Sequence, residues 1–307
     1  MTTSAQRSPK TYARLSIVAA LATIGLKSGA YWITGSVGLL SDAMESGVNL
    51  VAALVALWML TLAALPPDEE HLYGHTKAEY FSSGVEAVMI LLAAFLIGFA
   101  AFGRLAHPQP LENVFWGLTI SVVAAVLNGL VALVLFRAGK RLRSITLTAD
   151  AHHLMTDVYT TGGVVVAVIL VKTTGWLTLD PLIAIAVACN ILFMGFRLLN
   201  DSIHGLLDTA LPVSDIQAIE GVLNRFREEG VGFHALRTRA SGSRRFISVH
   251  VLAPGAWTIQ EGHDLCERIE HTLRDTLSNS VVFTHLEPAE DPKAWQDQTL
   301  ERSHPMQ

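Results

Sequence analysis

Hydrophobic residues fall in six long runs before position 200 and in shorter, mixed clusters after it. The runs are approximately Tyr12 to Ile33, Val37 to Leu62, Glu79 to Phe102, Asn113 to Phe136, Thr146 to Val171 and Leu177 to Leu198. Crossing a bilayer as a helix takes about 20 apolar residues, so the pattern predicts a six-helix transmembrane domain over 12–200, preceded by a polar tail, 1–11. After a linker at 201–212 the pattern is that of a small soluble module, 213–289. Val213 to Glu229 and Thr258 to Leu277 read as helices, and His234 to Ala240, Phe246 to Ala253 and Ser280 to Glu287 as strands, the first two separated by the turn SGSR. The order αββαβ predicts an α+β sheet with helices on one face. The polar segment 290–307 is expected to be a disordered tail.

Composition agrees with the membrane reading: 51% of the residues are hydrophobic and only 16% charged. A net charge of −5 without a dominant basic patch gives no electrostatic case for a nucleic-acid partner. Positive charge sets the expected orientation. Arg7, Lys10 and Arg14 surround the start of the first run, and Arg137, Lys140, Arg141 and Arg143 separate the fourth from the fifth. The connections on the other side carry only Arg104 and Lys172, so both termini are expected on the cytoplasmic side of a cell inner or plasma membrane. Lys27, inside the first span, is expected to snorkel to the outer interface.

Ionisable groups inside a span cost about 2.5–3.5 kcal/mol on insertion scales and therefore mark function. The fifth span carries His153 and Asp157, and the second carries Glu45 and Asn49, each pair spaced i, i+4 on one helix face. If these helices pack side by side, the four side chains offer one imidazole nitrogen and three oxygen donors to a divalent cation. Taken singly, Asn49 has the alternative of an interhelical hydrogen bond and Glu45 that of lining a polar cavity. Asp42 and Asp150, one turn earlier, read as rim carboxylates, and His152 points away from His153.

Two further clusters lie outside the spans. Asp68, His71 and His75 occur in PPDEEHLYGHTKAEY between the second and third runs. Leu72 follows His71 where a zinc-protease helix needs a general-base Glu, so a hydrolytic site is disfavoured. In the soluble module, His285 and Glu287 share one strand face, with His250 and His234 on neighbouring strands and His263 in the early turns of the second helix. That density of histidines around one small sheet points to metal. No phosphate-binding loop is present, since Gly139-Lys140 lacks both the preceding glycine and the following Ser or Thr. Nucleotide-driven pumping has no support.

Together these residues resemble the cation diffusion facilitator family of divalent-metal exporters, from about Tyr12 to Pro288. The resemblance is carried by GSVGLLSDAMES, DEEHLYGHTKAE, HHLMTDV, LDPLIAI and HALRTRASG. It implies a membrane transport site at Glu45, Asn49, His153 and Asp157, a loop site at Asp68, His71 and His75, and a metal site in a metallochaperone-like cytoplasmic domain at His234, His250, His263, His285 and Glu287. It implies a homodimer in the lipid bilayer, with Lys77 and Asp208 matching an interlocking charge pair at the dimer interface. Metal would leave the cytoplasm against protons, without enzymatic activity and without a catalytic cofactor. Better-known zinc members usually place Asp or His followed by Asp in the second span, where this chain has Glu45 and Asn49. Zinc and ferrous iron therefore lead as substrates, with manganese, cobalt, nickel and cadmium as the other candidates. The competing reading is a membrane-anchored metal sensor that uses the same ligands without transport.

Overall fold

The computed structural model describes residues 8–34, 37–106 and 114–296. The chain forms two units, Met1–His204 and Gly205–Gln307.

Among the described residues, the first unit is built from six long helices: α1 (Pro9–Thr34), α2 (Val37–Ala63), α3 (Ala78–Ala106), α4 (Val114–Leu142), α5 (Ile145–Thr174) and α6 (Leu179–Leu206). Among the described residues, α3, α5, α6 and the Leu118–Leu142 part of α4 are long and apolar enough to cross a membrane, and α2 contributes the apolar stretch Asn49–Ala63. Where α1 and α2 meet α4 and α5 the interior is rich in small residues: Ala13, Ala19, Ala132, Ala138 and Ala151 pack with Leu60, Leu135, Leu147 and Leu154. Large apolar side chains such as Trp58, Phe95, Phe99, Phe193 and Phe196 point outward. Small residues inside and large ones outside is the arrangement expected when the surrounding medium is hydrocarbon and close backbone approach must supply the packing. Gly195 illustrates it: a Cβ there would sit 2.9 Å from Leu91, so α3 and α6 can pack this tightly only with glycine at that position.

Helix ends account for the main differences from the predicted spans. α6 continues to Leu206, which makes half of the expected linker helical. α4 runs through Arg137 and ends with Lys140 and Arg141 in its last turn, where their charges complement the negative end of its dipole. The α4–α5 connection is then only Arg143, at φ 53, and Ser144, whose hydroxyl caps α5 by accepting from the Leu147 N–H. So short a connection makes α4 and α5 antiparallel neighbours. Lys27 departs from expectation. It is buried, on the α1 face that also buries Ala20 and Thr23, because the neighbouring helices cover the side chain that was expected to reach the interface.

The second unit comprises α7 (Val213–Glu228), β1 (Gly232–Ser241), β2 (Arg244–Ala253), α8 (Ile259–Thr276) and β3 (Ser280–Pro288). The sheet order is β1-β2-β3, with β1 antiparallel and β3 parallel to β2. A parallel neighbour requires a crossover, and α8 provides it. Ile247, Val249, Val251 and Val282 face α7 and α8, packing against Ile219, Leu223, Leu265, Ile269 and Leu273. Alternation then puts His250, His285 and Glu287 on the other face. The chain also remains ordered beyond the predicted module. Pro292–Trp295 form a short 3₁₀ helix capped by Asp291, and Trp295 stacks 5.7 Å from His234. An aromatic surface on the sheet holds this part of a segment whose composition reads as disordered.

Candidate functional site: cation-binding constellations

The membrane unit brings three of its polar side chains into one hydrogen-bonded chain. His153 Nε2 lies 2.7 Å from Asn49 Oδ1, and Asn49 Nδ2 lies 2.6 Å from Asp157 Oδ2. An amide oxygen can only accept, so Nε2 carries the imidazole proton here and Nδ1 keeps the lone pair. That Nδ1 is buried without a hydrogen-bond partner. Asn49 thus bridges α2 to both polar residues of α5, with each end of its amide engaged. All three side chains are buried, as an i, i+4 pair on one face of α5 and a facing residue of α2 must be when the helices pack. The side chains of Glu45 and Asp42 lie outside the described residues.

A fourth member comes from α4. Asn128 Nδ2 donates to the same Asp157 Oδ2, at 2.7 Å. Asn128 stands alone in an apolar run and has no i, i+4 companion, so a search for paired ligands passes over it. Chain geometry would have found it: it lies fifteen residues before Arg143, and Asp157 fourteen after, so folding at the short connection sets them side by side. His152 packs edge-on to Phe136 at 4.8 Å, away from this chain. Asp150 accepts from Ser16 of α1 at 2.9 Å. Two other buried carboxyls went unread in the sequence, Glu86 and Glu79 of α3. Ser82 bonds Glu86 at 3.4 Å, and Ser144 bonds Glu79 at 2.5 Å, tying the start of α3 to the cap of α5. Their i, i+7 spacing inside one span was the available signal.

The loop cluster forms without a helix. Asp68 Oδ1 accepts from the Glu70 N–H at 3.1 Å and the His71 N–H at 2.6 Å, closing a turn. Gly74, at φ 81, then reverses the chain. His71 Nδ1 and His75 Nε2 each come within 3.2 Å of an Asp68 oxygen, and the two rings are 4.4 Å apart. The hydrogen bond from the His71 backbone, helped by the ring contacts, holds the Asp68 carboxyl below the ordinary carboxylate range.

On the sheet face turned away from α7 and α8, His234, His250 and Glu287 converge from β1, β2 and β3. Their ligand atoms all lie within 4.8 Å of one another. His234 Nε2 and His250 Nδ1 are 2.8 and 3.2 Å from Glu287 Oε2. A one-residue bulge produces this register. The β1–β2 pairing passes from Arg237–Ser248 to His234–His250, three residues on β1 for two on β2, with Ala235 at φ 51. Without it Ala235 would face His250. His285 is more exposed, 3.5 Å from Glu287 Oε1, and His263 is exposed on α8 outside the cluster. Lys77 is half-buried beside the start of α3, and Asp208 pairs with Arg239 at 3.1 Å.

Comparison with known proteins accounts for both units. Residues 13–207 match the model of the cation efflux transmembrane domain, and residues 211–289 that of the cation efflux protein cytoplasmic domain. An uncharacterised transporter of Synechocystis sp. is 57% identical over 94% of this chain and 94% of its own length. Cation-efflux pumps named FieF from Yersinia pestis and Yersinia pseudotuberculosis are 32% identical, over 90% of this chain and 94% of theirs. The protein belongs to the cation diffusion facilitator family, a transporter family rather than an enzyme class.

Proposed function

We propose that this chain exports a divalent transition-metal cation from the cytoplasm in exchange for protons. The observation that carries the proposal is the buried chain His153–Asn49–Asp157, which puts a nitrogen lone pair, an amide and a carboxylate from two helices at one place inside an apolar domain. A bare cation cannot enter hydrocarbon, so such donors replace its water, and movement of the helices then opens the site to the other side. Glu45 completes the set as a fourth ligand. The donors are imidazole nitrogen and oxygen with no thiolate, which favours zinc or ferrous iron over softer ions. Proton exchange follows from the ligands, because a cation and a proton compete for the same lone pairs.

Asp68, His71 and His75 take up a cation at the loop, and His234, His250 and Glu287, with His285 beside them, take up another in the cytoplasmic domain, where His263 on α8 is a separate donor. There they favour the homodimer, whose membrane end the Lys77–Asp208 pair fastens across subunits. The positive residues flanking the spans support an orientation with both termini in the cytoplasm.

Purified protein in proteoliposomes tests the proposal. Uptake of Zn2+ or Fe2+ should rise with an opposing proton gradient and fall to background in His153→Ala. Uptake indifferent to both the gradient and the substitution would overturn antiport at this site. A cell response to metal that persists in Asp157→Ala would favour a sensor instead.

A further inference from the structure

We infer that Asn128 of α4 is a cation ligand of the transport site, and that its carbonyl oxygen helps select which cation passes; this rests on the transport-site reading above. Asn128 is 2% exposed, and its Nδ2 donates to Asp157 Oδ2 at 2.7 Å. The amide orientation is fixed by chemistry, since turning the oxygen toward a carboxylate oxygen would set two acceptors against each other. Oδ1 is therefore the atom facing away from that bond. It is buried and has no hydrogen-bond partner. Being geminal to Nδ2, it cannot lie far from the Asp157 carboxyl.

A buried acceptor in an apolar domain is normally satisfied, and an asparagine that merely fastens two helices uses both ends of its amide. Asn49 does so, with Oδ1 on His153 and Nδ2 on Asp157. Asn128 uses one end only. The hydrogen-bonded chain thus ends in two unpartnered lone pairs, His153 Nδ1 on one side and Asn128 Oδ1 on the other. Both atom types bind divalent cations, and both are held by residues whose remaining polar atoms are already engaged. When a cation arrives, the Asn128 amide continues to orient Asp157 while its oxygen joins the coordination. A neutral oxygen added to imidazole and carboxylate shifts a site toward harder ions.

The test compares full-length wild-type protein, Asn128→Leu, Asn128→Ser and Asp157→Ala in proteoliposomes over Zn2+, Fe2+, Mn2+ and Cd2+, recording KM and kcat for each. Asn128→Leu keeps the side-chain volume and removes both amide functions, and Asn128→Ser guards against a leucine variant that fails to fold. The expected result is a KM raised about tenfold or more, a smaller change in kcat, and an altered ranking in which Mn2+ loses most. If wild type transports and Asp157→Ala does not, yet both Asn128 variants keep the wild-type KM and ranking, Asn128 is only a helix contact and this inference falls alone. If wild type transports none of the four ions, the transport-site reading falls as well.

Discussion

The membrane chain and the sheet-face cluster use related donors on opposite mechanical principles. His234, His250 and Glu287 sit on three adjacent strands, whose separation is set by backbone hydrogen bonds at about 4.8 Å. The ladder therefore fixes the backbone positions from which they reach one another. His153, Asn49, Asp157 and Asn128 sit on three helices, each satisfied internally and joined to the others only by side chains. Helices packed through alanine and glycine can shift by an ångström or two without breaking a backbone bond. The first arrangement suits a site that keeps its geometry while a cation stays. The second suits a site whose geometry changes as the cation moves on.

The sharpest way to break this contrast is at the node of the membrane chain. Asp157 Oδ2 receives both Asn49 and Asn128, so Asp157→Ala removes the proposed ligand and leaves two buried amide N–H groups unpaired, at a cost of about 1–3 kcal/mol each. Proteoliposome uptake should fall by about 100-fold or more. Uptake within threefold of wild type would mean that the helices need no such node. Asn49→Asp in the same assay should be milder, with the ranking of metals altered, because it trades a bridging amide for a second carboxylate beside the first.

The sheet cluster should respond differently. In Glu287→Ala, transport at saturating cation should persist. The share of the thermal stabilisation by Zn2+ that this site contributes, about 2.7 kcal/mol at a hundredfold excess over Kd for one site, should disappear. Loss of transport with stabilisation intact would reverse the roles assigned to the two regions.

The smallest effect concerns the loop, which belongs to neither extreme. The Asp68 carboxyl is held below its ordinary value, chiefly by the His71 N–H. A depressed carboxyl contributes its stabilisation above the unfolded pKa of about 3.9 and loses it as pH falls through the lower folded value. The His71 turn should therefore stay closed through pH 4 and open only below it, as followed by the Asp68 carboxyl carbon resonance. Titration at or above the ordinary value would show that the turn does not hold the carboxylate.

Much of this could be read along the chain. Long apolar runs can bury their backbone polar groups only as helices, and i, i+4 spacing puts His153 and Asp157 on one face whatever they meet. The αββαβ order and the alternation at His285 and Glu287 were equally local. The bulge at Ala235 was less accessible. Nothing in FHALRTRA marks where an extra residue enters, because its position follows from pairing with β2. Gly74 signalled that His71 and His75 are not on one helix, but the turn that joins them depends on Asp68. The burial of Lys27 was not accessible either, because a single sequence does not reveal which face of a span is covered by protein.

The sequence by itself determined the architecture and the family and put His153 and Asp157 on one helix face, because periodicity, apolar length and residue chemistry are properties of neighbours along the chain. Tertiary structure alone decided what those donors do to one another. It made Asn49 a bridge, assigned the proton of His153 to Nε2, and brought Asn128 to Asp157 across a hairpin of two long helices. Hydrogen bonds form over less than 3 Å between residues up to 134 positions apart, and only packing fixes distances of that kind.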